Sequence, residues 1–205
     1  MESYIPLVDD GFNAIRETNV SGLDLCYMGS LPSGPSILIG TTARYLMHEE
    51  RRAIYISALE AALSGFGIVT LALSGGLFSL IKGAEDGGGR IHIVTAEGLD
   101  DYRRKREERM RRALLTGGSV ISPFRHGYGK DEAIEVSLSL SSALITTGCG
   151  RLMQSALDNG IDTAILRPSL ARSAARKAAE QGAPVIDTFS SFLAFPSRIA
   201  YPDEN

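Results

Sequence analysis

The chain has 205 residues, 44% of them hydrophobic and 22% charged, enough to bury a sizeable core in one domain or one domain with a small appendage. Its formal net charge of −3 gives no overall drive toward nucleic acid or a membrane, so any polyanion site must come from local clusters of Arg and Lys. Cys26 and Cys149 stand far apart at no metal-ligand spacing, which argues against a disulfide scaffold or a metal site and for reduced thiols. No apolar run reaches membrane length and the opening MESYIPLVDD lacks the regions of a signal peptide, so the expected location is the cytoplasm.

In chain order, residues 1–22 mix apolar and polar positions without a long helical pattern and read as an N-terminal extension packed on the body. Leu23 to Met28 is strand-like, and a connection with two prolines and two glycines follows. The apolar run Ser36 to Gly40 enters Thr41, Thr42 and Ala43, after which Arg44 to Phe66 has the spacing of a long helix. Ile68 to Leu73 is a second apolar strand, followed by the turn Ser74, Gly75, Gly76 and a short helix through Ala84. Ile91 to Thr95 is a third strand. Three strands without strict alternation, separated by helices, predict an α/β class with a parallel sheet covered on both faces.

Asp100 to Leu115 is the most charged segment, with acids early and Arg103 to Arg112 toward its end, an order that suits the helix dipole. It reads as a solvated helix or as a polyanion-binding face. Ser119 to Ser122 is a strand and Pro123 to Lys130 a loop, whose Arg125, His126, Tyr128 and Lys130 mix basic and aromatic groups suited to phosphate contact and base stacking. Asp131 to Leu140 is helical. Ala143 to Ile145 then delivers a turn, Thr147, Gly148, Cys149, Gly150, to a helix that opens at Arg151. Thr163 to Leu166 is a strand, Ser169 to Gln181 a basic helix, and Pro184 to Ile186 a last short strand.

Each glycine turn either cradles an anion against main-chain N–H groups and the positive end of a helix dipole, or only turns the chain. In a parallel sheet ligands sit outside the carboxyl ends of the strands, and the turns at Gly40, Gly75 and Gly148 are expected to converge there. None of them fits the dinucleotide fingerprint or the P-loop, so no NAD site, classical ATPase or other cofactor is expected.

The order LCYMGSLPSGPSILIGTTA, GFGIVTLALSGGLFSLIKGAEDGGGRIHIVTAEGLDDY, LLTGGSVISPF, SALITTGCG, ALDNGIDTAILRPSL and AARKAAEQGAPVIDTFSSFL resembles the Rossmann-like core of the DNA-processing protein A (DprA/Smf) family. The resemblance covers roughly residues 23–193 and implies a three-layer Rossmann-like fold with a mostly parallel central sheet flanked by helices. It divides the chain into an extension (1–22), a DprA-like domain (23–195) and a tail (196–205). It further implies single-stranded DNA binding, a homodimer formed through Ser169 to Gln181 or the helix after Ser74, and a recombinase as partner. Gly40 and Thr41 match the family's G-S-R turn, while its arginine falls on Thr42, with Arg44 two residues later. In the S-G-x-A-x-G-I-D turn, Gly76 is kept of the two glycines, and the arginine and aspartate are absent.

Two functions follow from that resemblance. In one, the chain binds single-stranded DNA, with Gly40, Thr41, Thr42, Arg44, Ser74, Gly75, Gly76, Arg125, Tyr128, Lys130, Thr147, Gly148, Gly150 and Arg151 at the phosphates or bases. In the other, the same turns hold a nucleotide, as in a sensor or an N-glycosidic-bond hydrolase of the related SLOG/LOG proteins. The LOG signature P-G-G-x-G-T-x-x-E carries an acid four residues after its turn, and TTGCGRLMQSA has none, so no general acid and no catalytic residue is expected.

Overall fold

The computed structural model describes residues 14–194, apart from residues 42, 44, 73, 74 and 149. Most of the expected extension, the whole of the expected tail, and Thr42, Arg44, Ser74 and Cys149 of the glycine turns lie outside the described residues.

One sheet organises the chain. Its strands are β1 (Arg16–Val20), β2 (Leu23–Gly29), β3 (Ser36–Gly40), β4 (Gly67–Leu71), β5 (Ile91–Val94), β6 (Ser119–Ser122), β7 (Ala143–Thr146), β8 (Asp162–Leu166) and β9 (Val185–Ile186). They lie in the order β1-β2-β6-β5-β4-β3-β7-β8-β9. The strands from β3 to β9 pair in parallel, and β2 joins β6 antiparallel. Each central strand sends alternate side chains into two cores. Ile37, Ile39, Ile91, Ile93, Val120 and Ile145 face one, and Leu38, Val69, Val94, Ile121 and Leu144 face the other. Burial on both faces is why these strands read as continuous apolar runs.

The first core is covered by α1 (His48–Leu63), α2 (Leu77–Asp86), α3 (Leu99–Lys105), α4 (Glu107–Leu115) and α8 (Phe189–Leu193). The second lies under α5 (Lys130–Ser139) and α6 (Arg151–Asp158), with α7 (Ser173–Glu180) packed beside α6 through Ala175 and Met153. Glycines let α1 and α2 approach closely, since a Cβ on Gly83 would sit 2.2 Å from the Tyr55 carbonyl oxygen.

Several boundaries differ from the sequence reading. Residues expected only to pack on the body include the edge strand β1, which turns into β2 through Ser21 and Gly22 at φ 52° and 85°. Positive φ at both central residues gives the tight hairpin turn that matches strand twist, and Asn19 supports it by accepting the Gly22 N–H at 3.0 Å. The first helix begins at His48 rather than Arg44 and stops at Leu63, where Ser64 and Gly65 end it. The charged segment is two helices broken at Arg106, each with its acids in the first turn and a basic last turn. It is only half solvated, because Tyr102, Met110, Ala113 and Leu114 are buried in the first core. The expected helix over 169–181 is a 3-10 turn, Arg167–Ala171, and a separate α7, divided by the extended backbone of Arg172.

Candidate nucleic-acid interface

Successive parallel strands place their carboxyl ends along one edge, where α1, α2, α5 and α6 all begin. From β3 the chain crosses through α1 to β4, whereas from β7 it crosses through α6 to β8 on the other side. Neighbouring strands β3 and β7 therefore part in opposite directions and leave the crevice in which open α/β sheets bind ligands.

Hydroxyl groups shape this edge. At the ends of β3, β5, β6 and β7, the oxygens of Thr41, Thr95, Ser122 and Thr146 accept the backbone N–H two residues on, at 2.9, 3.1, 3.1 and 3.3 Å. A side-chain acceptor so placed turns the chain sharply off the sheet without a costly unpaired amide. At the crevice itself, Thr147 Oγ1 donates to Thr41 Oγ1 across 2.5 Å, joining the β3 and β7 turns. Thr41 Oγ1 accepts the Ala43 N–H and shares one hydrogen with Thr147 Oγ1, so the joined hydroxyls have one hydrogen left for an acceptor. The Gly75 N–H donates to the Ala43 carbonyl at 3.2 Å, which draws the third glycine turn to the same place.

Glycine is required at the β7 turn for packing as well as for conformation. Gly148 and Gly150 have φ of 99° and 119°, values that side chains disfavour. A Cβ on Gly148 would lie 2.7 Å from the Cβ of Ala175, so this turn is pressed against α7. A bulky substitution there disturbs the fold and is not a clean block of a ligand. Gly150 precedes α6, whose first-turn amides carry no side-chain cap among the described residues and suit an anion. Gly40 is similarly confined, since an added Cβ would meet Leu152 of α6 at 3.1 Å, and Gly76 lies against Leu46 and Ile54.

The basic residues are more dispersed. Arg151 pairs with Asp131 at 2.6 Å, which brings it beside Lys130 at the start of α5. Lys130 is exposed at the same edge. Arg125 is held by Asp100 at 3.1 Å, and His126 lies 3.4 Å from the same carboxylate. Three strand spacings separate the β6 end from β3, about 14 Å, so the Arg125 loop flanks the crevice and does not line it. Tyr128 is 63% exposed, its backbone bridged to Glu97.

One ion pair of this edge was not legible in the sequence. Glu50 of α1, fully buried, receives Arg172 Nε at 2.6 Å and Nη2 at 2.7 Å, and also accepts the Met47 N–H at 2.8 Å. Arg172 donates in addition to the Tyr45 carbonyl at 2.7 Å. Burial alone raises the Glu50 carboxyl, but the Arg172 hydrogen bonds and charge and the Met47 amide outweigh it and hold it below the usual carboxylate range. The pair fixes the connection that follows Thr41 against the segment before α7. Among the described residues no cluster of His, Cys, Asp and Glu is arranged to hold a metal, and no helix is long and apolar enough to cross a membrane.

Fold and edge together define a Rossmann-like α/β protein with a glycine-turn crevice, the architecture of DNA processing protein A. Two solved structures share it. That of DNA processing protein A from Streptococcus pneumoniae matches with a TM-score of 0.69 and 17% identity, over 84% of this chain and 66% of the other. That of the Helicobacter pylori protein, which describes a single-stranded DNA binding mode, matches with a TM-score of 0.69 and 16% identity, over 88% of this chain and 93% of the other. The chain thus spans slightly less than two thirds of the Streptococcus protein. No protein-family model matches the sequence, and no curated protein matches it.

Proposed function

We propose that this chain binds single-stranded DNA across the carboxyl edge of its sheet. The observation that carries the reading is the junction of Thr41 and Thr147 at the β3/β7 crevice, where three glycine turns meet and the joined hydroxyls keep one hydrogen to donate. Uncapped amides of α6 and the basic pair Lys130 and Arg151 add positive potential for phosphate oxygens. Gly75 and Gly150, both exposed, let the polymer approach the main chain, while Gly40, Gly76 and Gly148 hold the turns close against Leu152, Leu46 and Ala175. Arg125 and Tyr128 serve as flanking contacts, and Thr42, Arg44 and Ser74 belong to the same turns. The Helicobacter neighbour, with its single-stranded DNA binding mode, supports the choice of polymer. Action in the cytoplasm, as a homodimer with a recombinase in DNA processing, rests on the likeness to DprA.

Competition against a bound, labelled dT oligonucleotide tests the reading. Unlabelled single strand should displace the label, and a duplex of the same length should do so poorly. Displacement by mononucleotide alone would instead make the crevice a nucleotide site.

A further inference from the structure

Away from the crevice, a groove of about 520 Å³ runs over the outer surface between α1 and α2. Its α1 wall is formed by His48, Arg51, Arg52 and Tyr55, and its α2 wall includes Phe78 and Lys82. Spacings of three and four residues put the α1 side chains on one helix face, over a length of about 10 Å.

The groove is basic. Arg51 and Arg52 are exposed and take part in none of the ion pairs among the described residues. Asp86, which meets the lining residues Lys82 and Tyr55, is already taken by the Lys82 ammonium and by the Tyr55 hydroxyl, which donates to it at 2.9 Å. Glu85 is likewise committed, to Arg112 of α4.

Phe78 is built as a platform. The residue is 63% exposed, on a helix that buries its other face. The Arg112 guanidinium lies 4.9 Å from the ring centroid and is fixed there by Glu85, with Nε at 2.8 Å. One ring face is thus backed by a cation, and the other is open to a flat partner.

This groove begins near the crevice. Both helices start at the carboxyl edge, and Gly76, the residue before α2, packs against Leu46 and Ile54, so the two N-termini meet beside the Gly75 turn. We propose that the α1/α2 groove is a second contact surface for single-stranded DNA, with Arg51 and Arg52 on its phosphates and one base stacked on Phe78. The proposal rests on the function argued above and extends the strand's path from the sheet edge onto the helical layer. Charge complementarity selects a polyanion, and an open ring face selects unpaired bases, because those of a duplex are already stacked.

The test uses two labelled dT oligonucleotides, one of about 5 and one of about 15 nucleotides, with the full chain and three variants. Arg51→Ala/Arg52→Ala should weaken the long oligonucleotide about tenfold and make its log K against log salt slope shallower by about 1.4, two phosphate contacts at about 0.7 each. Phe78→Ala should weaken it about tenfold with the slope unchanged. Phe78→Leu, which keeps apolar bulk and lacks the ring face, should behave like Phe78→Ala. None should alter the short oligonucleotide, which the crevice alone accommodates, and thermal melts should match the parent. Unchanged long-oligonucleotide affinity in the variants overturns the proposal while the crevice reading stands. So does a Phe78→Ala protein that keeps its affinity but sediments as a smaller species, which would make the groove an interface between copies. A parent chain that binds neither oligonucleotide overturns the crevice reading and the groove together.

Discussion

Arg172 closes on Glu50 with two hydrogen bonds of 2.6 and 2.7 Å across 122 positions of sequence, and no other described ion pair has a partner so fully buried. Breaking a buried pair leaves a charge without compensation, which typically costs about 3–5 kcal/mol. Arg172 is 34% exposed and can recover some hydration, so Glu50→Gln should lower stability by a smaller amount, about 2–3 kcal/mol. Because the Glu50 carboxyl is held below its usual range when folded, its contribution is present above about pH 4.3 and is lost as pH falls through the folded value. Denaturant unfolding of parent and variant should therefore differ at neutral pH and converge in acid.

Gly148 faces Ala175, and the contact makes a prediction about coupling. Gly148→Ala meets both a φ of 99° and a Cβ approach of 2.7 Å, and should cost about 2 kcal/mol or more. Ala175→Gly removes the clash and leaves the backbone strain. The double variant should be more stable than the sum of the single changes allows, by at least about 0.5 kcal/mol in a double-mutant cycle.

His92 supplies a separate acid response from the opposite edge of the sheet. It is 1% exposed, with Nδ1 2.8 Å from Ser119 Oγ. Burial, with a smaller push from the Arg90 charge, lowers its imidazole to about 4. An unfolded histidine titrates near about 6.5, so the unfolded state binds the proton first. Stability should fall as pH drops from about 6.5 to about 4, by no more than about 3 kcal/mol, and be level above that window. His92→Gln should flatten this part of the profile and leave the later acid loss at Glu50.

Elements bounded by strong local signals were legible from the sequence. Ser36–Gly40 and Ser119–Ser122 are apolar runs between Pro and Gly, and the observed strands have those limits. The α/β class and the convergence of the glycine turns follow from the same local pattern. Where the reading fell short, tertiary contacts had decided. The break at Arg106 lets Tyr102 and Met110 both reach the core, and its one mark in the sequence is the second acid pair, Glu107 and Glu108, which a single-helix reading passes over. The hairpin at Ser21 and Gly22 was masked by the polar strand RETNV, which lies at the sheet edge. The carboxylates that pair with Arg125 and Arg151, Asp100 and Asp131, come from other elements, and their placement was not legible from spacing. Glu50 and Arg172 meet only because β3 and β8 flank β7, a relation that spacing along the chain does not contain.

The most direct measurement is a fluorescence-anisotropy titration of a labelled dT oligonucleotide at about 50 mM and about 200 mM salt, with Thr41→Val beside the parent chain. The expected result is binding that weakens with salt, by a log–log slope of about −0.7 for each phosphate contact. Thr41→Val, which removes the hydroxyl that accepts the Ala43 N–H and joins the β3 and β7 turns, should bind about tenfold more weakly. No binding at either salt, or binding that ignores both salt and the Thr41 hydroxyl, would contradict a nucleic-acid site at the β3/β7 edge.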